Sequence, residues 1–339
     1  MADIDTYLEA ATRASTKRTY AGAVRHFEVE AGRPLPATGE QVAQYLADYA
    51  GQLAVPTLRH RLAALAQWHR DQGFADPTKT PIVRKVFRGI RTLHPRLERQ
   101  ATPLQLVHLG RVADALDHAV HEADAACDAG AALRHRRDRA LVLLGFWRAF
   151  RGDELLRLQA EHVQIDPGKG MTCFLPQSKG DRENLGRTCK VPALTRWCPV
   201  GATTDWLAAS GLTSGPLLRP INRWGQLGEG ELHPNSFVPL LRSIFTDAGL
   251  PAPAGYSGHS LRRGFAGWAE SQGWDLKSLM DYVGWRDVQS AMRYLEPDPF
   301  ARLRGGDDQP KRQSAGGSLR ATGRPGLGAP QDGIEASVD

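Results

Sequence analysis

The chain has 339 residues, which is enough for two domains that each bury a hydrophobic core. Its 43 Lys and Arg residues outnumber its 37 Asp and Glu residues, and the net charge of +6 permits an anionic partner without requiring one. The sequence has no run of about eighteen apolar residues, and its amino terminus lacks the layout of a signal peptide, so we expect a cytoplasmic protein with no membrane span. The four cysteines have no CxxC spacing and suit a reducing compartment better than a disulfide framework.

The amino-terminal part of the chain predicts a small bundle of helices at residues 1–95. Apolar residues recur there at the spacing of a buried helical face, in four separate groups. Thr38 and Gln41 have the spacing of a capping box at the start of the second group. The groups are Tyr20, Val24 and Phe27; Val42, Tyr45, Leu46 and Tyr49; Leu58, Leu62, Leu65 and Trp68; and Ile82, Val83, Val86 and Ile90.

The third and fourth predicted helices carry an excess of positive charge. From Arg59 to Arg99 there are ten basic residues and three acidic ones. A face of this charge attracts phosphate groups, although each such residue taken singly is more often part of an ordinary solvated helix surface. We predict nucleic-acid contacts by Arg59, Arg61, Lys85 and Arg88, with Arg59 and Arg61 as candidates for contacts to base edges.

A linker is predicted at residues 96–103, which are charged, bounded by proline and without an apolar period. A second domain is predicted at 104–304, with a first helix that starts at Thr102 and a strongly apolar helix at 140–150. Residues 305–339 are rich in Gly, Pro and Ser and poor in apolar residues, so we expect them to be disordered.

Three short runs of alternating apolar residues predict β-strands within the second domain. They lie at 162–165, 171–175 and 187–191, and they are separated by an Asp-Pro-Gly turn and by the polar loop 178–186. These runs predict a β-rich insert between the helices of this domain.

The apolar helix breaks at Arg151, where the segment RGDELLRLQAEHV begins a new helical period. Asp153 has the side chain of an N-cap and is the predicted start of that helix. An arginine at such a junction is usually a capping or ion-pair residue, so Arg151 needs partners elsewhere in the chain before it indicates chemistry.

Residues 259–273 predict a helix with two polar side chains in its opening turn. His259 and Arg262 are three residues apart, which places them on one face. Gly273 is the predicted C-terminal stop. The apolar period of the helix consists of Leu261, Phe265, Trp268 and Ala269.

Two shorter helices are predicted to follow. Asp275 and Asp287 are their expected N-caps, and Gly284 ends the first of them, directly before Trp285. Tyr294 lies beside the apolar stripe of the last helix, where a tyrosine usually has only a hydrated hydroxyl. The predicted stripe consists of Val288, Ala291, Met292 and Leu295.

Considered together, these residues form a specific pattern. His259 and Arg262 open a helix, Trp285 follows His259 by 26 residues, and Tyr294 follows Trp285 by nine. The pattern resembles the carboxy-terminal motif of the tyrosine recombinase (phage integrase) family. The resemblance implies a mainly α fold, with an amino-terminal SAM-like helical core-binding domain and an α-rich catalytic domain that contains a small antiparallel β-sheet.

The resemblance also implies a reaction. The family cleaves and rejoins DNA strands through a 3′-phosphotyrosyl intermediate, and it uses no cofactor, no ATP and no obligatory metal ion. By this resemblance Tyr294 is the nucleophile, and Arg151 and Arg262 are the guanidiniums that stabilise the transition state. Arg151 fits the family's register because Glu154, a supporting residue, follows it by three positions, whereas Arg148 has no glutamate at that spacing.

Three further residues are assigned by the same resemblance. The family keeps a lysine in a hairpin turn, which favours Lys179 over Lys190, since Lys190 lies within a predicted strand. Lys179 is the expected general acid, and His259 is expected to orient the phosphate or assist proton transfer. Trp285 stands where most of the family has a second histidine, and its indole N–H can donate a hydrogen bond but cannot transfer a proton.

The expected partner is double-stranded DNA with inverted-repeat recombination sites. The family works as a homotetramer on DNA and exchanges strands through a Holliday junction, so we expect a free monomer that assembles on DNA and associates with the nucleoid. Residues 299–304 are short for the docking helix that such tetramers use. A type IB topoisomerase or a telomere resolvase would use similar residues, but the helical bundle and the compact size argue against both. A non-catalytic DNA-binding protein and a helical scaffold remain as alternatives from other classes.

Overall fold

The computed structural model describes residues 4–95, 100–176 and 185–295. The chain divides into two compact units, Met1–Arg99 and Gln100–Asp339, and each has a hydrophobic core of its own. The described residues form thirteen α-helices and one three-stranded antiparallel sheet, so the mainly α fold predicted from the sequence is confirmed. Within these ranges no helix combines the length and the apolar character that crossing a membrane requires.

The first unit is built from five helices. The predicted capping box is present, because the backbone N–H of Gln41 donates to Thr38 Oγ1 at 3.2 Å and the backbone N–H of Thr38 donates to Gln41 Oε1 at 2.8 Å. Among the predicted core residues, Ile82 is an exception: it is 44% exposed, while its neighbour Val83 points inward. The helices are α1 (Ile4–Ala11), α2 (Ala14–Arg25), α3 (Gly39–Asp48), α4 (Val55–Asp71) and α5 (Pro81–Leu93), with a π-helical turn at His26–Glu30 and a 3₁₀ turn at Pro77–Lys79.

The second unit contains eight helices and the sheet. Its elements are α6 (Leu106–Ala125), α7 (Ala129–Trp147), α8 (Gly152–Leu156), β1 (Val163–Asp166), β2 (Gly170–Leu175), β3 (Arg187–Pro192), α9 (Pro199–Ser210), α10 (Pro234–Asp247), α11 (Ser260–Ser271), α12 (Leu276–Val283) and α13 (Val288–Met292), with 3₁₀ turns at Ala160–His162 and Pro253–Gly255. The predicted strand positions are therefore correct to within one or two residues.

Helix α7 forms the centre of this unit, and it is longer than the sequence predicted. All residues from 140 to 147 are buried, which explains the continuous apolar run. The helix nevertheless begins at Ala129, because Asp128 caps it by accepting a hydrogen bond from the Ala131 amide at 2.9 Å. Its polar first half is held by charge pairs such as Arg136 with Asp124.

The sheet has the order β1, β2, β3, and one face of it packs on the core. Cys173 and Cys189 are cross-strand partners, both are buried, and they are free thiols. The side chains of alternate residues, such as Thr188 and Lys190, are exposed on the other face. The period of two along β2 and β3 thus separates a buried side from a solvent side, as expected for a sheet covered on one face.

Close backbone contact fixes the start of α11. A Cβ atom at Gly264 would lie 1.9 Å from the Leu104 carbonyl oxygen, so only glycine permits this approach. The Leu104 amide also donates to the Ser260 carbonyl at 3.0 Å. These contacts explain why α6 begins at Leu106 and not at Thr102, as predicted: the residues between them pair with the start of α11.

Two further predictions are wrong in detail. Helix α8 begins at Gly152 with Arg151 as its N-cap, and not at Asp153, because the Glu154 carboxylate accepts a hydrogen bond from the Arg151 amide. Helix α13 ends at Met292, and of the predicted stripe only Ala291 is fully buried, while Val288 and Met292 are about half exposed. A helix of five residues has too few turns to bury a stripe of four.

Some predicted features lie outside the described residues. Among these are most of the loop at 178–186, much of the linker at 96–103, residues 299–304 and the tail at 305–339.

Candidate active site

Three predicted site residues surround the ring of Tyr294. The ring centroid of Trp285 lies 5.1 Å from that of Tyr294, and the ring centroid of His259 lies 6.2 Å away. The Cζ atom of Arg262 lies 5.5 Å from the Tyr294 ring centroid and 5.1 Å from the Trp285 ring. Tyr294 itself is half-buried, two residues beyond the end of α13. The fold therefore brings together four residues that the motif spreads over 36 positions.

Arg262 is the structural centre of this group. It lies in the first turn of α11 and is fully buried, whereas His259, which the sequence placed on the same face, is exposed at the N-cap. Its Nη1 atom donates to the Ala149 carbonyl at 2.7 Å, and its Nη2 atom lies 3.4 Å from the Val283 carbonyl. The guanidinium thus joins the junction after α7 to the end of α12.

Arg151 and Arg262 share one carboxylate. Arg151 Nη1 donates to Glu154 Oε1 at 2.6 Å, and Arg262 Nη1 lies 3.7 Å from Glu154 Oε2. Glu154 is 2% exposed, while the Arg151 side chain is 21% exposed and reaches the surface. Arg148, the rejected alternative in the sequence, has a different contact: its guanidinium lies 4.4 Å over the ring of Tyr282.

The pKa values of this cluster reflect burial and crowded positive charge. Burial alone would raise the pKa of Glu154, but the charges of Arg151 and Arg262 and the hydrogen bonds from Arg151 hold it below its ordinary value. Burial, and then the charge of Arg151, lowers the pKa of Arg262 to about 9 against the opposing effect of Glu154. Two guanidiniums and one carboxylate leave a net positive charge, which an anion would compensate.

Trp285 follows directly on a turn that needs glycine. Gly284 has a φ of +79°, and its amide and that of Trp285 both bond to the Met280 carbonyl, at 2.7 and 3.0 Å. Trp285 is 5% exposed. Two buried N–H groups at this site, Trp285 Nε1 and Arg262 Nε, have no hydrogen-bond partner among the residues that the structure describes. Buried donors without partners are uncommon, so this pair is suited to a bound acceptor.

Lys179 lies outside the described residues, so its place relative to the cluster is not part of the structure. Its competitor Lys190 lies within β3, opposite Thr172, with its side chain exposed. Within residues 4–95, 100–176 and 185–295 there is no group of three or more His, Cys, Asp or Glu residues that could hold a metal ion.

Sequence reasoning missed two residues beside this site. Arg187 is the first residue of β3, and its Nη1 and Nη2 atoms donate to the carbonyls of Val283 and Tyr282 at 3.0 and 2.6 Å. No local pattern indicates such a contact, because the partners are separated by 96 and 95 residues. Ala149, whose carbonyl binds Arg262, was also missed, and it has a positive φ of 52°.

The predicted DNA contacts of the first unit are placed on α4 and α5. Arg59, Lys85 and Arg88 are exposed, and Arg59 lies 5.9 Å over the ring of Phe87. Arg61 differs from them because its Nη1 atom donates to the hydroxyl of Tyr45 at 2.6 Å, so it is held within the unit.

Comparison with known sequences identifies relatives of the chain. The sequence profile of the Phage integrase family matches residues 116–299, a range that includes Arg151, His259, Arg262 and Tyr294. An integrase/recombinase XerD homolog of Selenomonas ruminantium is 30% identical over 267 residues, which are 77% of this chain and 74% of that protein.

Solved structures of integrases and recombinases share the fold. A lambda integrase dimer bound to a COC′ core site has a TM-score of 0.54 at 16% identity, and the match covers 91% of this chain and 97% of that one. The XerH site-specific recombinase bound to its difH substrate has a TM-score of 0.51 at 18% identity, with coverage of 76% and 67%. The Tn1549 transposon integrase in complex with circular intermediate DNA has a TM-score of 0.52 at 14% identity, with coverage of 88% and 94%. With a profile match over more than half its length and a 30% identical relative, the chain is a member of the phage integrase family.

Proposed function

We propose that this protein is a site-specific DNA recombinase that uses Tyr294 as its nucleophile. The observation that carries the proposal is the group of Arg262, Trp285 and His259 around the Tyr294 ring, with two buried N–H donors that lack partners in the described part of the chain. A phosphodiester would accept hydrogen bonds from these two N–H groups, and its negative charge would balance the excess positive charge of Arg151 and Arg262.

In the proposed first step, the hydroxyl oxygen of Tyr294 attacks the phosphorus of a DNA strand. A bond forms between this oxygen and phosphorus, and the bond from phosphorus to the 5′ oxygen breaks. A phenol is a weak nucleophile near neutral pH, so the reaction needs a proton acceptor and nearby positive charge. His259, with its ring 6.2 Å from that of Tyr294, is the proposed acceptor, and Lys179 is the proposed proton donor to the leaving 5′ oxygen.

Arg151 and Arg262 stabilise the charge that develops on the non-bridging oxygens. Glu154 holds both guanidiniums in place before DNA binds, so little reorganisation is needed during the reaction. The indole N–H of Trp285 donates a further hydrogen bond to the phosphate. Because the phosphotyrosyl bond conserves the energy of the phosphodiester, a 5′ hydroxyl from another strand can reverse the step without ATP. Positive charge from two arginines makes a metal ion unnecessary in this scheme.

The two units have separate roles in the proposal. Residues 1–95 form the DNA-contacting core-binding domain, residues 96–103 the linker and residues 104–304 the catalytic domain. The partner is double-stranded DNA with inverted-repeat sites, on which a homotetramer exchanges strands through a Holliday junction. The presence of Trp285, and its spacing from His259 and Tyr294, is similar to the arrangement in Cre recombinase.

The experiment that tests the proposal compares Tyr294→Phe with wild type on DNA that carries the protein's mapped binding site. Wild type is expected to form a covalent protein–DNA adduct, and Tyr294→Phe is expected to bind the DNA without forming one. Tyr256→Phe is a matched control, since it removes a buried hydroxyl that lies 3.4 Å from His108 Nδ1. Adduct formation by Tyr294→Phe would refute the assignment, and specific binding without any adduct by wild type would favour a non-catalytic DNA-binding protein.

A further inference from the structure

Three guanidiniums converge on the last two carbonyl groups of α12. Arg187 donates to the Tyr282 carbonyl at 2.6 Å and to the Val283 carbonyl at 3.0 Å. Arg262 Nη2 lies 3.4 Å from the same Val283 oxygen, and Arg148 donates to the Tyr282 oxygen. Carbonyls at a helix C-terminus lack partners within the helix and carry partial negative charge, so arginine is well suited to bind them.

The turn after these carbonyls sets the position of Trp285. The Gly284 and Trp285 amides both bond to the Met280 carbonyl, which ends the helix and turns the chain towards Tyr294. A Cβ atom at Gly284 would lie 1.5 Å from Arg187 Nη1, so the guanidinium fills the space directly beside the turn. Arg187 therefore occupies the space that the side chain of any residue larger than glycine would need at position 284.

Within the part of the chain that the structure describes, Arg187 binds backbone carbonyls and not an acidic side chain. Both hydrogen bonds that it forms with described residues go to this helix end. Both terminal nitrogens of Arg187 bind successive carbonyls of a helix that is distant in sequence, and shielding the end of β3 from solvent would not require these bonds. The planar fork of arginine allows these two bonds at once, which the single ammonium of lysine cannot reproduce.

We propose that Arg187 is a positioning residue of the recombination reaction, which holds the end of α12 and thereby keeps Trp285 beside Tyr294 and Arg262. The proposal rests on the proposed function, because it acts through the indole that donates to the phosphate. In this proposal, the two hydrogen bonds of Arg187 to the end of α12 and the turn at Gly284 connect the first residue of β3 to Trp285.

The test measures single-turnover adduct formation by Arg187→Lys on a nicked suicide substrate that carries the mapped binding site. We expect a rate about 10- to 100-fold below wild type, since a small displacement of a catalytic group has an effect of this order. DNA affinity is expected to change less than about threefold, because a rigid-body change of one buried indole leaves the phosphate contacts of the protein in place. Arg219→Lys is a matched control, since Arg219 also donates to two carbonyls of its own loop, those of Pro216 and Ser214, at 3.1 and 2.6 Å.

A double-mutant cycle separates positioning from general support of the fold. If Arg187 acts through Trp285, then Arg187→Lys slows a Trp285→Ala protein less than about twofold, although it slows wild type strongly. Effects that multiply in the double variant would overturn the proposal. So would adduct formation at the wild-type rate by Arg187→Lys. A wild-type protein that forms no Tyr294 adduct would overturn the proposed function, and this inference with it.

A second pair of variants covers the case in which Arg187→Lys does not fold. Gly284 and Gly273 both have a φ of +79° and both follow the end of a helix, but a Cβ at Gly273 would meet nothing within 4 Å. Gly284→Ala and Gly273→Ala therefore introduce the same backbone strain, and only the former displaces Arg187. The proposal predicts slower adduct formation by Gly284→Ala than by Gly273→Ala, and equal rates would contradict it.

Discussion

Arg262 Nη1 lies 3.7 Å from Glu154 Oε2, and both side chains are almost completely buried. Arg151 binds the other oxygen of the same carboxylate, so a single glutamate lets two guanidiniums lie side by side before any anion is present. The positive charge of Arg151 disfavours the charged form of Arg262, and the carboxylate of Glu154 offsets that effect. We therefore expect both the stability and the preorganisation of the site to depend on Glu154.

Glu154→Gln is expected to destabilise the protein at pH 7. Removing one charge of a buried ion pair leaves the other uncompensated, which typically costs about 3 to 5 kcal/mol. Urea unfolding at pH 7 measures this loss. Asp153→Asn is the matched control, because Asp153 pairs with Arg157, the C-cap of the same helix, at a partly exposed site and this pair is expected to contribute less than about 1 kcal/mol.

The effect of Glu154→Gln should depend on pH with a defined sign. The pKa of Glu154 in the folded protein is below its ordinary value of 4.5, so the folded state favours the ionised carboxylate. Its contribution to stability is therefore complete above about pH 4.5 and is lost as the pH falls through the lower, folded-state pKa. Wild type and Glu154→Gln should converge in acid, and a difference that stays constant from pH 7 into that range would contradict the account.

Arg151→Ala should separate chemistry from folding better than Arg262→Ala. The Arg151 side chain is partly exposed and, among the described residues, binds Glu154, whereas Arg262 is fully buried and bound to two carbonyls. We expect Arg151→Ala to fold, to bind DNA with largely unchanged affinity and to cleave about 10² to 10³-fold more slowly, as for loss of one donor to a developing charge.

Arg262→Ala should show the same loss of cleavage together with a lower thermal midpoint. Measuring the rate of adduct formation, the DNA affinity and the unfolding temperature of both variants distinguishes the two effects. If Arg151→Ala lost binding in proportion to cleavage, Arg151 would be a binding or structural residue and not a group that stabilises the transition state.

Cleavage is expected to proceed in EDTA at a rate within about twofold of that in magnesium, because the guanidiniums supply the positive charge that a metal ion would otherwise provide. A magnesium-dependent restriction endonuclease in the same buffer is the control that chelation is complete. A strict magnesium requirement for adduct formation would exclude the proposed scheme.

The exposed basic residues of the first unit are expected to contact DNA phosphates. Replacing Arg59, Lys85 or Arg88 by Ala should weaken binding and reduce the slope of log K against log salt by about 0.9 per lost phosphate contact. Arg70→Ala is the matched control on α4, because Arg70 already pairs with Asp76 and Gln67. If all four variants and wild type had the same slope of log K against log salt, these residues of α4 and α5 would not contact DNA phosphates.

Arg61 should behave differently from these residues. Its hydrogen bond to the Tyr45 hydroxyl ties α4 to α3, so Arg61→Ala is expected to lower the stability of the first unit as well as any DNA affinity. Unfolding and binding measured on the same preparation separate the two contributions.

The sequence predicted those parts of the structure that depend on local patterns. The Thr38 capping box, the helix that begins after His259, and the turn at Gly284 follow from side chains within a few positions of one another, and they are present. The start of α7 was misplaced because the polar first half of the helix has no apolar period, so that only the N-cap Asp128 marks where it begins. The end of α13 was misplaced because the apolar spacing continues to Leu295, beyond the last helical residue, Met292.

The contacts within the site could not be predicted in the same way. The sequence grouped His259 with Arg262 by spacing, but it gave no sign that one is exposed and the other fully buried. The two bonds of Arg187 to the end of α12 connect residues that are almost a hundred positions apart. Such contacts depend on where the start of β3 lies relative to the end of α12, which the sequence of either element alone does not specify.

The most direct test of the account is to identify the residue that becomes linked to DNA. Wild-type protein is incubated with a nicked suicide substrate that carries its footprinted site, the adduct is digested with protease, and the DNA-linked peptide is identified by mass spectrometry. We expect a peptide that contains Tyr294 joined to a 3′ phosphate. An adduct on another residue, or none despite specific binding to the site, would contradict it.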